Sequence, residues 1–168
     1  IGMYQRGELN LADKTVKRLF FSDETRFLNA YPVIHEKRSL PVPMSWRQLK
    51  YPEDEAEKYE IRDEAFEHKE DDKKRGGLSG FAIFKEGKVH IHAPQPVLNV
   101  HTQRTRKGDK PQVYRYDALA PSQTFKGIIY CEEKDADEIK QLLIDNPSTH
   151  IGGARSAGYG KVSIQVAD

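Results

Sequence analysis

A glycine-rich segment near the end of the chain most constrains its fold. Residues 151–161 read IGGARSAGYGK, which places four glycines in nine consecutive positions. Glycine has no Cβ atom, so such a segment forms a tight loop whose backbone N–H groups can approach an anion. It is not a Walker loop, and a dinucleotide-binding fingerprint would follow a strand and open a helix. This segment is predicted to do the reverse, following a helix and opening a strand.

The segments around this loop predict α+β structure. Asp135 to Asn146 carries apolar residues on one side and acids in its first turn, which is typical of a helix. Gly158 to Val166 alternates polar and apolar residues and is predicted to be a strand with one buried face. A further strand fits Thr124 to Cys131. The order is therefore strand, helix, glycine loop, strand.

The remainder of the chain predicts one more helix and several strands. Residues 11–21 have the apolar spacing of a short helix. The prolines between Pro32 and Pro43 forbid helix and hold the chain extended. Gly87 marks the turn of a hairpin between residues 81–84 and 89–92, because glycine accepts positive φ. Extended segments are also predicted at residues 26–34 and 96–102.

The formal net charge of +1 hides a segregation of charge along the chain. Residues 53–75 hold eleven of the 26 acidic residues and six of the 27 basic ones, so the rest has a basic surplus of six. We interpret this acidic stretch as an exposed helix or a mobile loop, within a charged insertion at about residues 50–78. Its paired acids lie in no evident cleft, which argues against acid–base chemistry there.

Residues 101–115 form the most basic stretch. Arg104, Arg106, Lys107, Lys110 and Arg115 stand against one acid. This density of cations is the footprint expected for a phosphate backbone. A basic hairpin without a nucleic-acid partner remains an open alternative on these residues alone.

Length and composition set further expectations. A chain of 168 residues can bury a core without disulfides, and we expect a single domain, or a fragment of one, over residues 1–168. No apolar run approaches the length of a membrane-spanning helix, so a cytoplasmic location is expected. The single cysteine, Cys131, is interpreted as a buried structural thiol. His90 and His92 face the same way on a predicted strand but lack a third ligand, so no metal site is predicted.

Three parts of the sequence resemble the RAMP superfamily of CRISPR-associated proteins. The pattern G-G-x-R-x-x-G-Y-G-K at residues 152–161 looks like the superfamily's signature loop. Residues 100–108 (VHTQRTRKG) and 114–121 (YRYDALAP), the latter followed by Phe125-Lys126-Gly127, resemble the paired stretch before its penultimate strand. Residues 27–32 (FLNAYP) and 38–46 (RSLPVPMSW) resemble the type III-D branch, related to subunits that cap the 5′ handle of the guide RNA.

The resemblance implies a fold and a function. The fold is a ferredoxin-like (RRM-like) domain with an antiparallel sheet, whose first strand would precede Ile1. The function is a non-catalytic subunit of a type III effector complex that binds CRISPR RNA and other effector subunits, and that also meets target RNA. No cofactor and no catalytic residue are assigned, since the catalytic aspartate of RNA-cutting relatives would also precede Ile1. The implied RNA-binding residues are Gly152, Gly153, Arg155, Ser156, Gly158, Tyr159, Gly160, Lys161, His101, Arg104, Arg106 and Lys107.

Three alternatives remain open at this point. A guide-processing endoribonuclease could use His101 as a general base, since imidazole titrates near neutral pH. The chain could instead be a repeated backbone subunit of the same complex. It could also be a structural subunit that docks through residues 27–46 and never touches RNA.

Overall fold

The structure is a computed structural model, and it describes residues 10, 13–65, 73–103 and 112–167. Contacts divide the chain into two compact units, Ile1–Asn29 with Gly127–Asp168, and Ala30–Lys126. We call them the terminal unit and the central unit. Whether they form the single domain expected from the sequence stays a prediction.

The described residues form three helices and fifteen short strands. The helices are α1 (Lys14–Phe21), α2 (Glu55–Lys58) and α3 (Glu133–Asp145). The strands are β1 (Arg26–Phe27), β2 (Tyr31–Ile34), β3 (Lys37–Arg38), β4 (Leu40–Pro41), β5 (Trp46–Leu49), β6 (Ile61–Asp63), β7 (Arg75–Gly77), β8 (Phe81–Lys85), β9 (Lys88–His92), β10 (Pro96–Gln103), β11 (Gln112–Leu119), β12 (Phe125–Lys126), β13 (Ile129–Tyr130), β14 (Ser148–His150) and β15 (Lys161–Ser163). All the strand pairs described are antiparallel, which confirms the α+β prediction at that level.

In the terminal unit, two helices bury one apolar residue each. Helix α1 begins after Asp13, whose side chain accepts a hydrogen bond from the Thr15 N–H at 2.7 Å, as an N-cap does. It buries Leu19, and α3 buries Ile139. Strand β1 pairs with β13, and Phe27 on β1 stacks on Phe20 with ring centroids 5.8 Å apart. The predicted helices at residues 11–21 and 135–146 are therefore both present.

A buried ion pair joins the two helices of the terminal unit. Asp135, in the first turn of α3, is completely buried, and its Oδ1 accepts a hydrogen bond from the Arg18 guanidinium on α1. A carboxylate out of water needs such a partner, because the charge is otherwise poorly solvated. The ion pair therefore fixes α1 against the start of α3.

The end of the terminal unit differs from the sequence prediction in one element. Strand β15 lies inside the predicted strand, but it pairs with β14, a strand that the sequence did not predict. Helix α3 ends at Asp145, just before Pro147, and the Ile164 N–H donates to the Pro147 carbonyl at 2.8 Å. The glycine-rich segment thus joins two strands of a hairpin instead of following a helix directly.

The central unit contains three small sheets and one two-stranded ribbon. The sheets have the strand orders β12-β2-β3, β4-β8-β9 and β6-β5-β7, and the ribbon is β10-β11. The β8–β9 hairpin is confirmed, with Glu86 and Gly87 at φ 53° and 73°, as a two-residue turn of this kind requires. The buried apolar residues described in this unit are Val42, Leu49, Ala82 and Ile83.

Parts of the acidic stretch form strands in the described residues. It does contain a short exposed helix, α2, but β6 and β7 pair with opposite edges of β5. The Trp46 indole N–H donates to Asp63 Oδ2 at 3.2 Å. Backbone pairing with β5 therefore holds these segments despite their few apolar residues. Residues 61–63 are a strand and not the exposed helix or mobile loop that the sequence suggested. No helix in the described part of the chain is long and apolar enough to cross a membrane.

We predict that Arg18→Met lowers the urea midpoint of unfolding more than Lys17→Met does, because it leaves the buried Asp135 carboxylate without its cation. Urea denaturation followed by circular dichroism measures this change. Lys17→Met is the matched control, since Lys17 is an exposed cation on the same helix. Equal midpoints for the two variants would contradict the role given to the ion pair.

Candidate nucleic-acid interface

The glycine-rich segment forms a closed hairpin loop between β14 and β15. The Ile151 N–H donates to the Gly160 carbonyl at 2.9 Å, immediately beyond the last strand pair, His150 with Lys161. Gly160 has φ 77°, and a Cβ atom at this position would overlap with the Ile151 carbonyl oxygen. Glycine is therefore required at position 160 to close the loop.

The loop backbone is left-handed at Gly152, Ala154, Gly158 and Gly160. Ala154 is left-handed at φ 53° and ψ 35°, residues Arg155–Ala157 make one 3-10 turn, and Gly158 is left-handed at φ 85°. The Ala157 and Gly158 N–H groups donate back within this turn at 3.0 Å. Nothing lies within 4 Å of a Cβ atom built at Gly152, Gly153 or Gly158, so the surrounding space is open to an incoming group.

Two cations flank this exposed backbone. Arg155 and Lys161 are both exposed, and no acidic group in the described residues lies within ion-pair distance of either. Ser156 beside them is exposed as well, whereas Tyr159 is half-buried. The loop thus combines open backbone, a hydroxyl group and uncompensated positive charge, which is a combination suited to phosphate oxygens.

The second predicted interface lies on the ribbon of β10 and β11. Eight residue pairs, from Pro96 with Leu119 to Gln103 with Gln112, give a ribbon about 27 Å long. Among the described strands, no other one pairs with either edge of it. Predicted residues Arg104, Arg106 and Lys107 fall between its strands and lie outside the described residues.

The two faces of the ribbon carry different side chains. Directly opposite residues share a face, so His101, Tyr114 and Tyr116 lie together. The His101 ring meets the Tyr116 ring edge to face, with centroids 5.3 Å apart, and both tyrosines are about 40% exposed. This face presents exposed aromatic surface to which a planar base could be added.

The other face is apolar and exposed. Its large apolar members are Leu98, Val100, Val113 and Leu119, each at least half exposed. Arg115 lies on this face, and its Nε donates to Asp117 at 3.1 Å. The positive charge of Arg115, which the sequence assigned to the basic stretch, is therefore paired locally.

The predicted residues that the structure describes fall in two units. His101 lies on the ribbon of the central unit, and the loop of the terminal unit holds Gly152, Gly153, Arg155, Ser156, Gly158, Tyr159, Gly160 and Lys161.

Sequence reasoning missed an acidic cluster in the terminal unit. One carboxylate oxygen from each of Glu24, Glu132 and Asp135 lies within 4.8 Å of the other two. The hydrogen bond from Arg18 to Asp135 raises the pKa of the Arg18 guanidinium, and the bond to Glu132 raises the pKa of Lys134. Acids in the first turn of α3 were visible in the sequence, but the approach of Glu24 depends on tertiary structure.

No known protein-family model matches this chain, and no curated protein is significantly similar to it. The resemblance to RAMP proteins therefore stays a hypothesis based on the residues quoted for it.

Gly160→Ala should lower the melting temperature by about 4 °C or more. A left-handed alanine costs about 1–2 kcal/mol, and the Ile151 carbonyl must also move. Gly153→Ala is the matched control, because Gly153 has open space and no positive φ, and it should shift the melting temperature by less than about 1 °C. Differential scanning calorimetry compares them, and an unchanged Gly160→Ala protein would show that the loop is not closed as described.

Proposed function

We propose that this chain is a non-catalytic RNA-binding subunit of a type III CRISPR effector complex, which holds CRISPR RNA near its 5′ handle in antiviral defence. The observation that carries the proposal is the loop between β14 and β15, with its open backbone and with Arg155 and Lys161 unpaired among the described residues. The RAMP-like pattern at residues 152–161 connects this loop to guide-RNA binding.

The chemistry of the loop suits the sugar–phosphate backbone better than it suits bases. Exposed N–H groups and cations donate to phosphate oxygens whatever the base, which is what a subunit that carries many different guides requires. Arg155 can donate two parallel hydrogen bonds to one phosphate group, and Lys161 adds a point charge. Binding of this kind weakens as salt rises.

The aromatic face of the ribbon supports a second contact with single-stranded RNA. Tyr114, Tyr116 and His101 offer rings on which unpaired bases stack without strong sequence preference. By sequence, Arg104, Arg106 and Lys107 follow directly after β10. Within the proposal, these cations bind the phosphates on either side of the stacked bases.

The proposal includes a ferredoxin-like fold for this chain. The chain order β13, α3 and β15 is that of the second half of a ferredoxin-like unit, with the difference that β14 lies between α3 and β15 and pairs with β15. Within the proposal, the docking partners are other effector subunits, with target RNA paired to the bound guide.

Salt-dependent binding tests the role of the loop. Fluorescence anisotropy of a labelled CRISPR RNA should show that Arg155→Ala with Lys161→Ala makes the slope of log affinity against log salt shallower by about 1.4, the value for two lost phosphate contacts on a single strand. The matched control is Lys14→Ala with Lys17→Ala, which removes two exposed cations from α1 of the same unit. Equal slopes for the two double variants would refute binding by the loop.

Incubation of the protein with a repeat-hairpin RNA in the absence of metal tests the alternative of a guide-processing nuclease. We expect the parent protein and His101→Ala to leave a repeat hairpin intact over hours, because His101 is assigned to stacking and not to proton transfer. Cleavage by the parent that is lost in His101→Ala would replace the proposed function with the endoribonuclease.

A further inference from the structure

The acidic cluster of the terminal unit gathers residues that are far apart in sequence. Glu24 lies in the connection between α1 and β1, Glu132 directly precedes α3, and Asp135 is in the first turn of α3. One oxygen from each lies within 4.8 Å of the other two. Three carboxylates this close repel one another unless positive charge lies among them.

One member of the cluster is buried with an oxygen that lacks a donor. Asp135 has a relative exposure of 0%. Its Oδ1 accepts the hydrogen bond from Arg18, but Oδ2 has no hydrogen-bond partner among the described residues. A buried carboxylate oxygen without a donor from the protein is costly, and a cation that binds it would offset this cost.

The neighbouring cations do not fully balance the cluster. Arg18 pairs with Asp135 and Lys134 pairs with Glu132. Arg26 and Asp23 lie beside them, so three positive charges face four carboxylates. The Lys134 side chain is 61% exposed, and an exposed ion pair of this type contributes little and separates easily. The cluster therefore keeps a net negative charge.

An open hollow gives access to this side of the unit. It is lined by Asp23, Glu24, Arg26, Tyr130, Cys131 and Glu132. Glu24 and Glu132 thus reach both the solvent-filled hollow and the buried Asp135, and water can complete the coordination shell of an ion held there.

We propose that Glu24, Glu132 and Asp135 form a binding site for a hard divalent cation, such as Ca²⁺ or Mg²⁺. Three carboxylates are ligands for hard cations, and a set without histidine or thiolate ligands does not favour zinc.

The bound cation has a structural role in the terminal unit. It joins the α1–β1 connection to the start of α3, where the Arg18–Asp135 ion pair already connects the two helices. Three protein ligands with water in the other positions give weak binding, with a Kd of about 0.1–1 mM. This site is independent of the proposed RNA contact, because none of its residues belongs to the glycine-rich loop or to the ribbon.

Isothermal titration of the full chain with CaCl₂, and separately with MgCl₂, tests the site. The parent should bind one Ca²⁺, and its melting temperature should rise by about 2–6 °C at ten times the Kd. Glu24→Gln should weaken Ca²⁺ binding by about tenfold or more, since it removes one charged ligand. The exposed position of Glu24 means that this variant keeps the fold.

Two further variants make the result specific. Glu133→Gln is the matched control, an exposed acid in the same helical turn but outside the cluster, and it should change the Kd by less than about twofold. Arg18→Met should bind Ca²⁺ more tightly than the parent, because it removes a competing cation, and added Ca²⁺ should then recover part of its lost stability. No heat and no thermal shift at 10 times the highest expected Kd, about 10 mM, would overturn the proposal, as would equal weakening by Glu24→Gln and Glu133→Gln.

Discussion

The terminal unit depends on the ion pair between Arg18 and Asp135. Asp135 is the largest fully buried side chain described, and only Leu19 and Ile139 accompany it as buried apolar residues of this unit in the described part of the chain. With so little apolar burial, the orientation of α3 relies on a charged contact with strict geometry. Helix α3 in turn leads into β14 and the glycine-rich loop. The position of the loop therefore depends on the ion pair at the start of the helix. A charge buried in this way is a specific constraint, since it tolerates few other arrangements.

The longest strands of the central unit, β10 and β11, have exposed side chains on both faces. Two strands alone are marginally stable in water, yet the β10–β11 ribbon exposes aromatic rings on one face and large aliphatic side chains on the other. Exposed apolar surface of this kind marks an interaction site in many proteins. In a ribonucleoprotein assembly, which is the setting we propose, bases could cover the aromatic face and a neighbouring subunit the aliphatic face. The ribbon would then be stabilised by its partners more than by its own unit.

The glycines of the loop serve two different purposes. Gly160 is fixed by sterics, because any Cβ atom would meet the Ile151 carbonyl oxygen. Gly152 and Gly158 border open space among the described residues, but their φ values of 89° and 85° already favour glycine in a tight loop. Of the four glycines, Gly153 alone has neither a positive φ nor a close neighbour in the described part of the chain. The open space there and the exposed Arg155 and Lys161 are what favour a ligand-binding interpretation of this hairpin.

The sequence by itself determined the elements whose cause is local. Apolar spacing predicted α1 and α3, and Gly87 predicted the β8–β9 turn. The glycine-rich segment predicted an exposed cationic loop. These predictions were possible because helices, two-residue turns and left-handed residues depend on residues close in sequence. Apart from the β8–β9 hairpin, tertiary structure alone decided which strands pair. The β5–β6–β7 sheet uses backbone hydrogen bonds that any side chain permits, so its acidic sequence resembled a loop. The approach of Glu24 to Asp135 likewise required a contact across more than a hundred residues, and no local pattern encodes such a contact.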